Sequence, residues 1–448
     1  MKKDLTQGDP LKVVLTFMTP MLLGNLLQQV YNMADTAIVG RFVGKEALAA
    51  VGSTGPLNFL ALGFVIGSSM GFAIPVANAC GAKDTKNVRR FLVNTVFLSV
   101  AIAAVLTLIT VAGARTILTV VRTPPEIFGY AQMYITVIFA GIPVAMAYNV
   151  LAGVSRALGD SRTPLLFLIM SSCVNIVLDI LFITAFGMAT FGAALATVMS
   201  QAVSALACFV YMLKKFPEMR IPKGEWRPDF RIMRHLMGNG MPMALQFSIT
   251  AIGSIILQSN VNPYGADIVA AITAGSKVSL ILVQPMEALG AAMAIYVSQN
   301  LGAGKIARVH KGVRRAILLA LCFAVAAYAV AIFAGRYVSL LFVDPSETVI
   351  LNNIVRFLLI VGAFYFPLGT LFVLRNSIQG LGYAIIAMGA GVFELLARAL
   401  VGIFLVSRFN ADHPFGFTSI CFANPSAWLA ANIILIPVYL RIKKRFIS

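Results

Sequence analysis

Long apolar runs are the feature that most restricts what this chain can form. Three of them cover residues 91–114, 165–186 and 316–335. A helix needs about 20 apolar residues to cross about 30 Å of hydrocarbon, and each run approaches or exceeds that length. The alternating pattern of membrane β-barrel strands is absent from them. With 59% hydrophobic and 12% charged residues, the sequence predicts an all-α polytopic membrane protein.

Apolar segments of spanning length recur along the whole chain. Long polar stretches are few, so short connections are expected between most spans. The sequence predicts twelve transmembrane helices, at residues 13–39, 47–78, 91–114, 127–154, 164–186, 190–213, 235–261, 268–299, 315–335, 347–374, 383–407 and 420–440.

The net charge of +18 is distributed unevenly over the connections. One side carries 26 of the 35 Lys and Arg residues, among them Lys2, Lys3 and the seven between Lys214 and Arg234. The positive-inside rule therefore predicts a multi-pass protein of the cell membrane with both termini cytoplasmic. The charge serves orientation and contact with anionic lipid, so no nucleic-acid partner is expected. The other side carries six, namely Arg41, Lys45, Arg115, Arg122, Arg336 and Arg408, and three fall within spans, namely Lys277, Arg356 and Arg398.

The two halves of the chain repeat one another. An offset of about 222 residues places Met18-Thr19-Pro20-Met21-Leu22 over Gly240-Met241-Pro242-Met243-Ala244, and other matches follow in order. Six spans per half is an even number, so the halves are parallel repeats with substrate expected near the midplane. We therefore predict an N-terminal lobe at 1–213, a cytoplasmic linker at 214–234 and a C-terminal lobe at 235–448.

Acidic side chains within apolar spans mark the candidate site. Each costs about 2.5–3.5 kcal/mol to insert at the centre of a spanning helix, so a functional role is the default interpretation. Asp35 shares a helical face with Gln28 and Tyr31, and Asp179 lies one turn after Asn175. Two carboxylates and an amide oxygen suit Na⁺, and carboxylates brought together equally suit a proton. We expect Asp35, Asn175 and Asp179 to form the coupling-ion site, with Na⁺ and H⁺ both open.

The second half has different residues at the equivalent positions. With a local offset of 223, Asn175 corresponds to Arg398 and Asp179 to Gly402. Glu394 and Arg398 are one turn apart, which allows a buried ion pair in place of an ionisable site. We expect this polar pair of the C-terminal lobe to be structural.

Two further groups of residues suggest how such a protein works. Pro20 removes a backbone hydrogen bond inside the first span, so we expect a bending point there. Polar or adaptable side chains at membrane depth usually face a cavity, which predicts a substrate cavity. Its predicted lining is Gln28, Tyr31, Met33, Asn149 and Gln246.

These residues together resemble a known family. Pro20, Gln28, Tyr31 and Asp35, the Ser155–Ser161 loop, and Asn175 with Asp179 are similar to the multidrug and toxic compound extrusion (MATE) transporters of the MOP superfamily, nearly end to end. The resemblance implies an antiporter that exports cationic or amphipathic molecules in exchange for Na⁺ or H⁺. It also adds Thr197 to the coupling site. The lack of an acid near Thr250 resembles the DinF-like branch more than the NorM-like branch.

Other functions fit the sequence less well. A lipid-linked saccharide flippase shares the general architecture, but its groove would be basic, whereas the first lobe is acidic. An intramembrane serine protease is suggested by Gly67-Ser68-Ser69-Met70-Gly71, yet that motif requires a strand-to-helix turn and a His base. Here it lies in an apolar helix whose glycines favour close helix packing. We therefore expect no enzyme and no cofactor other than the coupling ion, with small-molecule substrates and a monomer.

Overall fold

Helices make up almost all of the structure, a computed structural model that describes residues 4–340, 343–406, 408, 413 and 415–445. Lys2 and Lys3 lie outside the described residues. No strand occurs in the described ranges, which confirms the predicted all-α class. The α-helices there are α1 (Pro10–Phe42), α2 (Lys45–Gly81), α3 (Thr85–Val120), α4 (Pro125–Ala140), α5 (Ile142–Ala157), α6 (Arg162–Ile180), α7 (Ala189–Lys215), α8 (Phe230–Val261), α9 (Ala266–Gly302), α10 (Ile306–Phe333), α11 (Gly335–Ser339), α12 (Thr348–Gly362), α13 (Tyr365–Gly380), α14 (Ala384–Val401), α15 (Gly416–Cys421) and α16 (Ala423–Arg445).

Ten helical segments of the described chain are long and apolar enough to span a membrane. Two predicted spans are instead broken: α4 and α5 meet at 48°, and α12 and α13 meet at 52°. If each bent pair is one span, the count reaches the predicted twelve. The break between α4 and α5 falls at Gly141, with Pro143 in the first turn of α5, and proline there cannot continue the preceding helix.

The chain divides into two compact units that do not follow its midpoint. Unit 1 is built mainly from Thr19–Ser248, and unit 2 from Leu5–Met18 and Ile249–Ser448. Each of the helices α1 and α8 therefore begins in one unit and ends in the other. The predicted lobe boundaries at 213 and 235 were drawn from the repeat in the sequence, and they stay a prediction.

Close packing of α2 against the first half of α8 stabilises unit 1. A Cβ atom added at Gly67 would lie 2.6 Å from the carbonyl oxygen of Met243, so only glycine permits this approach. The neighbouring Ser68 and Ser69 hydroxyls donate to carbonyls one turn earlier, at 2.8–3.0 Å, within a continuous helix. This geometry has no nucleophile turn.

The polar stretch at 214–234 packs on α3 through ion pairs. Arg89 Nε lies 2.7 Å from a Glu225 oxygen, and Arg90 lies 2.9 Å from Asp229. Asn94 accepts a hydrogen bond from the Asp229 backbone at 2.8 Å. The stretch is therefore an ordered connection that fixes where α8 begins.

Candidate functional site

Two buried carboxyl groups meet inside unit 1. Asp35 of α1 is 8% exposed and Asp179 of α6 is 0% exposed, and their side chains lie within hydrogen-bonding reach of each other. Two carboxylates in contact repel strongly at low dielectric unless a proton or cation lies between them. A proton or a cation at the pair would relieve this repulsion.

Several oxygen atoms around this pair receive no hydrogen bond. Asp35 Oδ1, both carboxyl oxygens of Asp179 and Asn175 Oδ1 are buried, and no donor group among the described residues reaches them. Buried acceptors without donors are costly, at about 1–3 kcal/mol each. A cation ligated by these oxygens, or a proton on the pair, would remove that cost.

Thr197 of α7 orients the remaining members of the site. Its hydroxyl accepts from Asn175 Nδ2 at 3.4 Å and lies 3.4 Å from the Tyr31 hydroxyl. It also donates to the Ala193 carbonyl at 3.1 Å. Because the Asn175 amide nitrogen is held by Thr197, its carbonyl oxygen stays available as a ligand.

A cavity of about 100 Å³ opens onto this site from within unit 1. Asp35 and Thr197 lie in its wall, whereas Asn175 and Asp179 are not among its described lining residues. The described lining contains no basic residue, which suits a positively charged or neutral guest. The lining residues are Gln28, Tyr31, Asn32, Asp35, Asn58, Leu62, Tyr134, Ile138, Gly141, Ala145, Thr197, Val198 and Gln201.

Only some of the predicted substrate residues are in this wall. Gln28 and Tyr31 line the cavity. Met33 is 51% exposed on another side of α1, and Asn149 donates to the Ala145 carbonyl at 2.8 Å instead. Gln246 is buried in α8, away from the lining.

Four polar residues of the cavity lining were not predicted from the sequence. They are Asn32, Asn58, Tyr134 and Gln201. Asn58 has a buried Oδ1 atom without a partner among the described residues. Each is a polar side chain at membrane depth, and the same pattern predicted that Gln28 faces a cavity.

The acceptor atoms gathered at this site are oxygens, the ligand type that small hard cations prefer. The described residues contain no group of three His, Cys, Asp or Glu side chains that could hold a metal ion. Two carboxylates with an amide oxygen and a hydroxyl suit Na⁺ or a proton better than a transition metal.

Unit 2 has a different polar cluster, centred on Glu394 of α14. Arg398 Nη2 lies 3.4 Å from one carboxylate oxygen, as expected for residues one turn apart. Arg375 of α13, absent from the prediction, lies 3.1 Å from the other oxygen. Arg398 Nε also donates to Asn424 Oδ1 at 3.1 Å. Glu394 thus has two cationic partners.

Pro20 lies in the interior of continuous helix α1. It comes two residues after Met18, where α1 leaves unit 2 and enters unit 1. A proline at this place removes one backbone hydrogen bond. The proline is therefore close to the point where α1 passes from one unit to the other.

Comparison with known proteins identifies the family. The MatE family profile matches residues 20–181 and 242–404, one match per half. The probable multidrug resistance protein YpnP of Bacillus subtilis (strain 168) is 29% identical over 85% of this chain and 84% of its own length. The probable multidrug resistance protein NorM of Thermotoga maritima is 28% identical over 83% of this chain and 80% of its own length.

Solved structures show the same fold. The outward-facing structure of a multidrug resistance MATE family transporter of the MOP superfamily superimposes with a TM-score of 0.91. The two chains are 23% identical, and the match covers 99% of this chain and 98% of the other. The predicted MATE-like fold and the absence of enzyme function are confirmed, and this chain belongs to the MatE family of transporters.

Proposed function

We propose that this protein exports small cationic or amphipathic molecules in exchange for H⁺ or Na⁺, and that the Asp35–Asp179 pair is the coupling site. The observation that carries the proposal is the pair itself: two buried carboxyls with orphaned oxygens and no ion-pair partner in the described part of the chain. Such a site exists in two states that differ by one charge.

The position of the pair, with Asp35 in the cavity wall and in contact with Asp179, provides a means of exchange. A bound proton or Na⁺ neutralises the carboxyls, which weakens the attraction of the cavity for a cationic substrate. By linkage, a bound cationic substrate weakens ion binding to the same extent. Binding of the two in turn, with the site facing alternate sides, gives antiport.

We propose that bending of α1 at Pro20 accompanies this alternation. The first two turns of α1 belong to unit 2 and the rest to unit 1, so relative motion of the units requires α1 to deform. Proline lowers the cost of that deformation because the helix there already lacks a hydrogen bond.

We also propose a membrane orientation, a family branch and an oligomeric state for this protein. The strong excess of basic residues on one set of connections favours cytoplasmic termini in the cell membrane. The acids of the first lobe, with none near Thr250, favour the DinF-like coupling mode. Because one chain contains the cavity and all proposed ion ligands, a monomer is sufficient.

The direct test is transport in sealed vesicles with Na⁺ and pH gradients imposed separately. We expect uphill movement of a fluorescent organic cation under one of the two gradients and none without either. Equal rates with and without both gradients would contradict ion-coupled export. The exposed Asp267→Asn variant is a matched control, since it removes a carboxylate from the surface start of α9.

A further inference from the structure

Helix α14 is the unit 2 counterpart of α6 in unit 1. Each follows a turn with a glycine at φ +89°, Gly159 and Gly382. Each ends in a five-residue π turn, at Leu181–Ala185 and Gly402–Val406. With an offset of 223, the residues facing inward also correspond: the buried Ser171, Asn175 and Asp179 are replaced by Glu394, Arg398 and Gly402, which are buried too.

The residue at the central position contacts the last span in both units. Asn175 donates to Thr197 of α7 at 3.4 Å, and Arg398 donates to Asn424 of α16 at 3.1 Å. The corresponding position therefore contacts the last span of its unit in both cases, with a neutral amide in unit 1 and a guanidinium in unit 2.

Helix α8 is the counterpart of α1, the helix that supplies Asp35. In unit 2, α8 leaves room for the guanidinium of Arg398. An offset of 222 relates Tyr31 to Gly253 and Asp35 to Leu257. A Cβ atom added at Gly253 would lie 3.0 Å from Arg398 Nη1, so the arginine packs where a side chain would otherwise stand. Unit 2 thus lacks both carboxyls of the ion site and contains a fixed positive group.

The charges of this cluster balance without any bound ion. Glu394 holds Arg375 and Arg398, and Glu287 of α9 interacts electrostatically with Arg375. Helices α13 and α16 border α14 and contribute Arg375 and the neutral Asn424 to the cluster. With both glutamates ionised, the two arginines and two glutamates are neutral together, in contrast to the carboxyl pair of unit 1.

We propose that Arg398 is a built-in cation that fills the unit 2 counterpart of the ion site, so that coupling ions bind in unit 1 alone. This inference rests on the proposed function. Its consequence is that removing the guanidinium leaves the unit 2 cluster one negative charge in excess. The cluster should then take up a proton or Na⁺ itself.

The test uses full-length protein in detergent, with Na⁺ binding measured by calorimetry and proton uptake by back-titration. We expect wild type to bind one coupling ion per chain and the Asp35→Asn/Asp179→Asn variant to bind none. Arg398→Asn gives unit 2 the same residue type that unit 1 has at Asn175. Added to the Asp35→Asn/Asp179→Asn variant, it should restore one bound ion per chain. A further Glu394→Gln change should abolish this restored binding, because it removes the negative charge while the space remains.

The outcomes separate the two proposals. If Asp35→Asn/Asp179→Asn still binds the full complement of ions, the proposed function fails. If that variant binds none and Arg398→Asn restores none while its melting curve shows a folded protein, the built-in cation fails alone. If Arg398→Asn does not fold, the wild-type stoichiometry decides: two ions per chain, with one remaining in the Asp35→Asn/Asp179→Asn variant, would overturn it.

Discussion

The carboxyl groups of Asp35 and Asp179 lie against each other inside unit 1, although 144 residues separate them in the sequence. Asp35 lines the cavity, and Asp179, which is not among the described lining residues, has both oxygens free of donors among the described residues. We propose that Asp35 connects the site to the substrate cavity and that it shares the bound proton or cation with Asp179.

Thr197→Val should weaken ion binding without unfolding the protein. Valine keeps the shape but removes the hydroxyl that holds Asn175 and Tyr31, and an unpaired buried amide costs about 1–3 kcal/mol. We expect the ion concentration needed for half-maximal transport to rise about tenfold or more, since about 1.4 kcal/mol corresponds to tenfold. The control is Thr190→Val in the same helix, whose hydroxyl bonds the Tyr130 carbonyl.

The Thr190 control should lower stability and leave the ion dependence unchanged. Equal ion dependence for Thr197→Val and wild type would show that Thr197 only supports the packing of α7. Vesicle transport over a range of Na⁺ concentrations and pH values provides the comparison.

Pro20→Ala should slow transport more than it weakens substrate binding. Alanine restores a helical hydrogen bond and stiffens α1 where it passes between units. Pro75→Ala is the matched control, because Pro75 is also buried within a helix but α2 belongs to unit 1 alone. If turnover of Pro20→Ala matches that of Pro75→Ala at wild-type stability, Pro20 is a static bend.

Glu394→Gln should lower the melting temperature in detergent. The change leaves the buried Arg398 and the partly buried Arg375 without their shared carboxylate. Losing one partner of a buried pair costs roughly 3–5 kcal/mol. The double variant Glu394→Gln/Arg398→Leu should recover part of the loss, since Arg375 still has Glu287 nearby. Additive effects of the two changes would contradict a structural pair.

Asp160, in the turn between α5 and α6, provides a stability test away from the ion site. Burial tends to raise the pKa of this carboxyl, but hydrogen bonds from Lys215 and Thr163 outweigh it, and the pKa is lowered overall. Because the pKa is lowered, ionised Asp160 stabilises the folded protein at pH values above its ordinary pKa of about 3.9. This stabilisation is lost as the pH falls through the lowered pKa of the folded protein.

Asp160→Asn should therefore lower the melting temperature at pH 7 by several degrees and remove the acid-dependent loss seen in wild type. Asp344→Asn is the control, because Asp344 is exposed and its carboxylate accepts hydrogen bonds from Ser346, two residues further along the chain. An equal effect of both changes would show that the Lys215–Asp160 ion pair contributes little. Melting curves at pH 7 and at acidic pH provide the comparison.

Local patterns predicted much of the architecture. Apolar length gave the spans, and the helical spacing of Asn175 and Asp179 placed both on one inward face. The breaks within α4–α5 and α12–α13 were not predicted, because apolar length alone does not reveal a bend. Gly141 and Pro143 were the available signal for the first of them.

Contacts between distant segments left no local signal. Arg375 was missed as a partner of Glu394 because it lies on the preceding helix, 19 residues away. The contact between the segment before α1 and helix α10 left no signal either: Arg308 donates to the Leu5 and Gln7 carbonyls, about 300 residues earlier. Only packing decides such pairs, and one sequence does not encode them as a pattern.

We propose that the carboxyl pair couples ion entry to export. The most direct measurement of this coupling is uphill efflux of an organic cation from sealed vesicles by wild type, Asp35→Asn, Asp179→Asn and the Asp267→Asn control. An amide is nearly isosteric with a carboxyl but neither exchanges a proton nor binds a cation strongly. We predict that both site variants lose gradient-driven efflux while remaining folded, whereas Asp267→Asn transports as wild type. Normal uphill efflux by Asp35→Asn or Asp179→Asn would contradict the account.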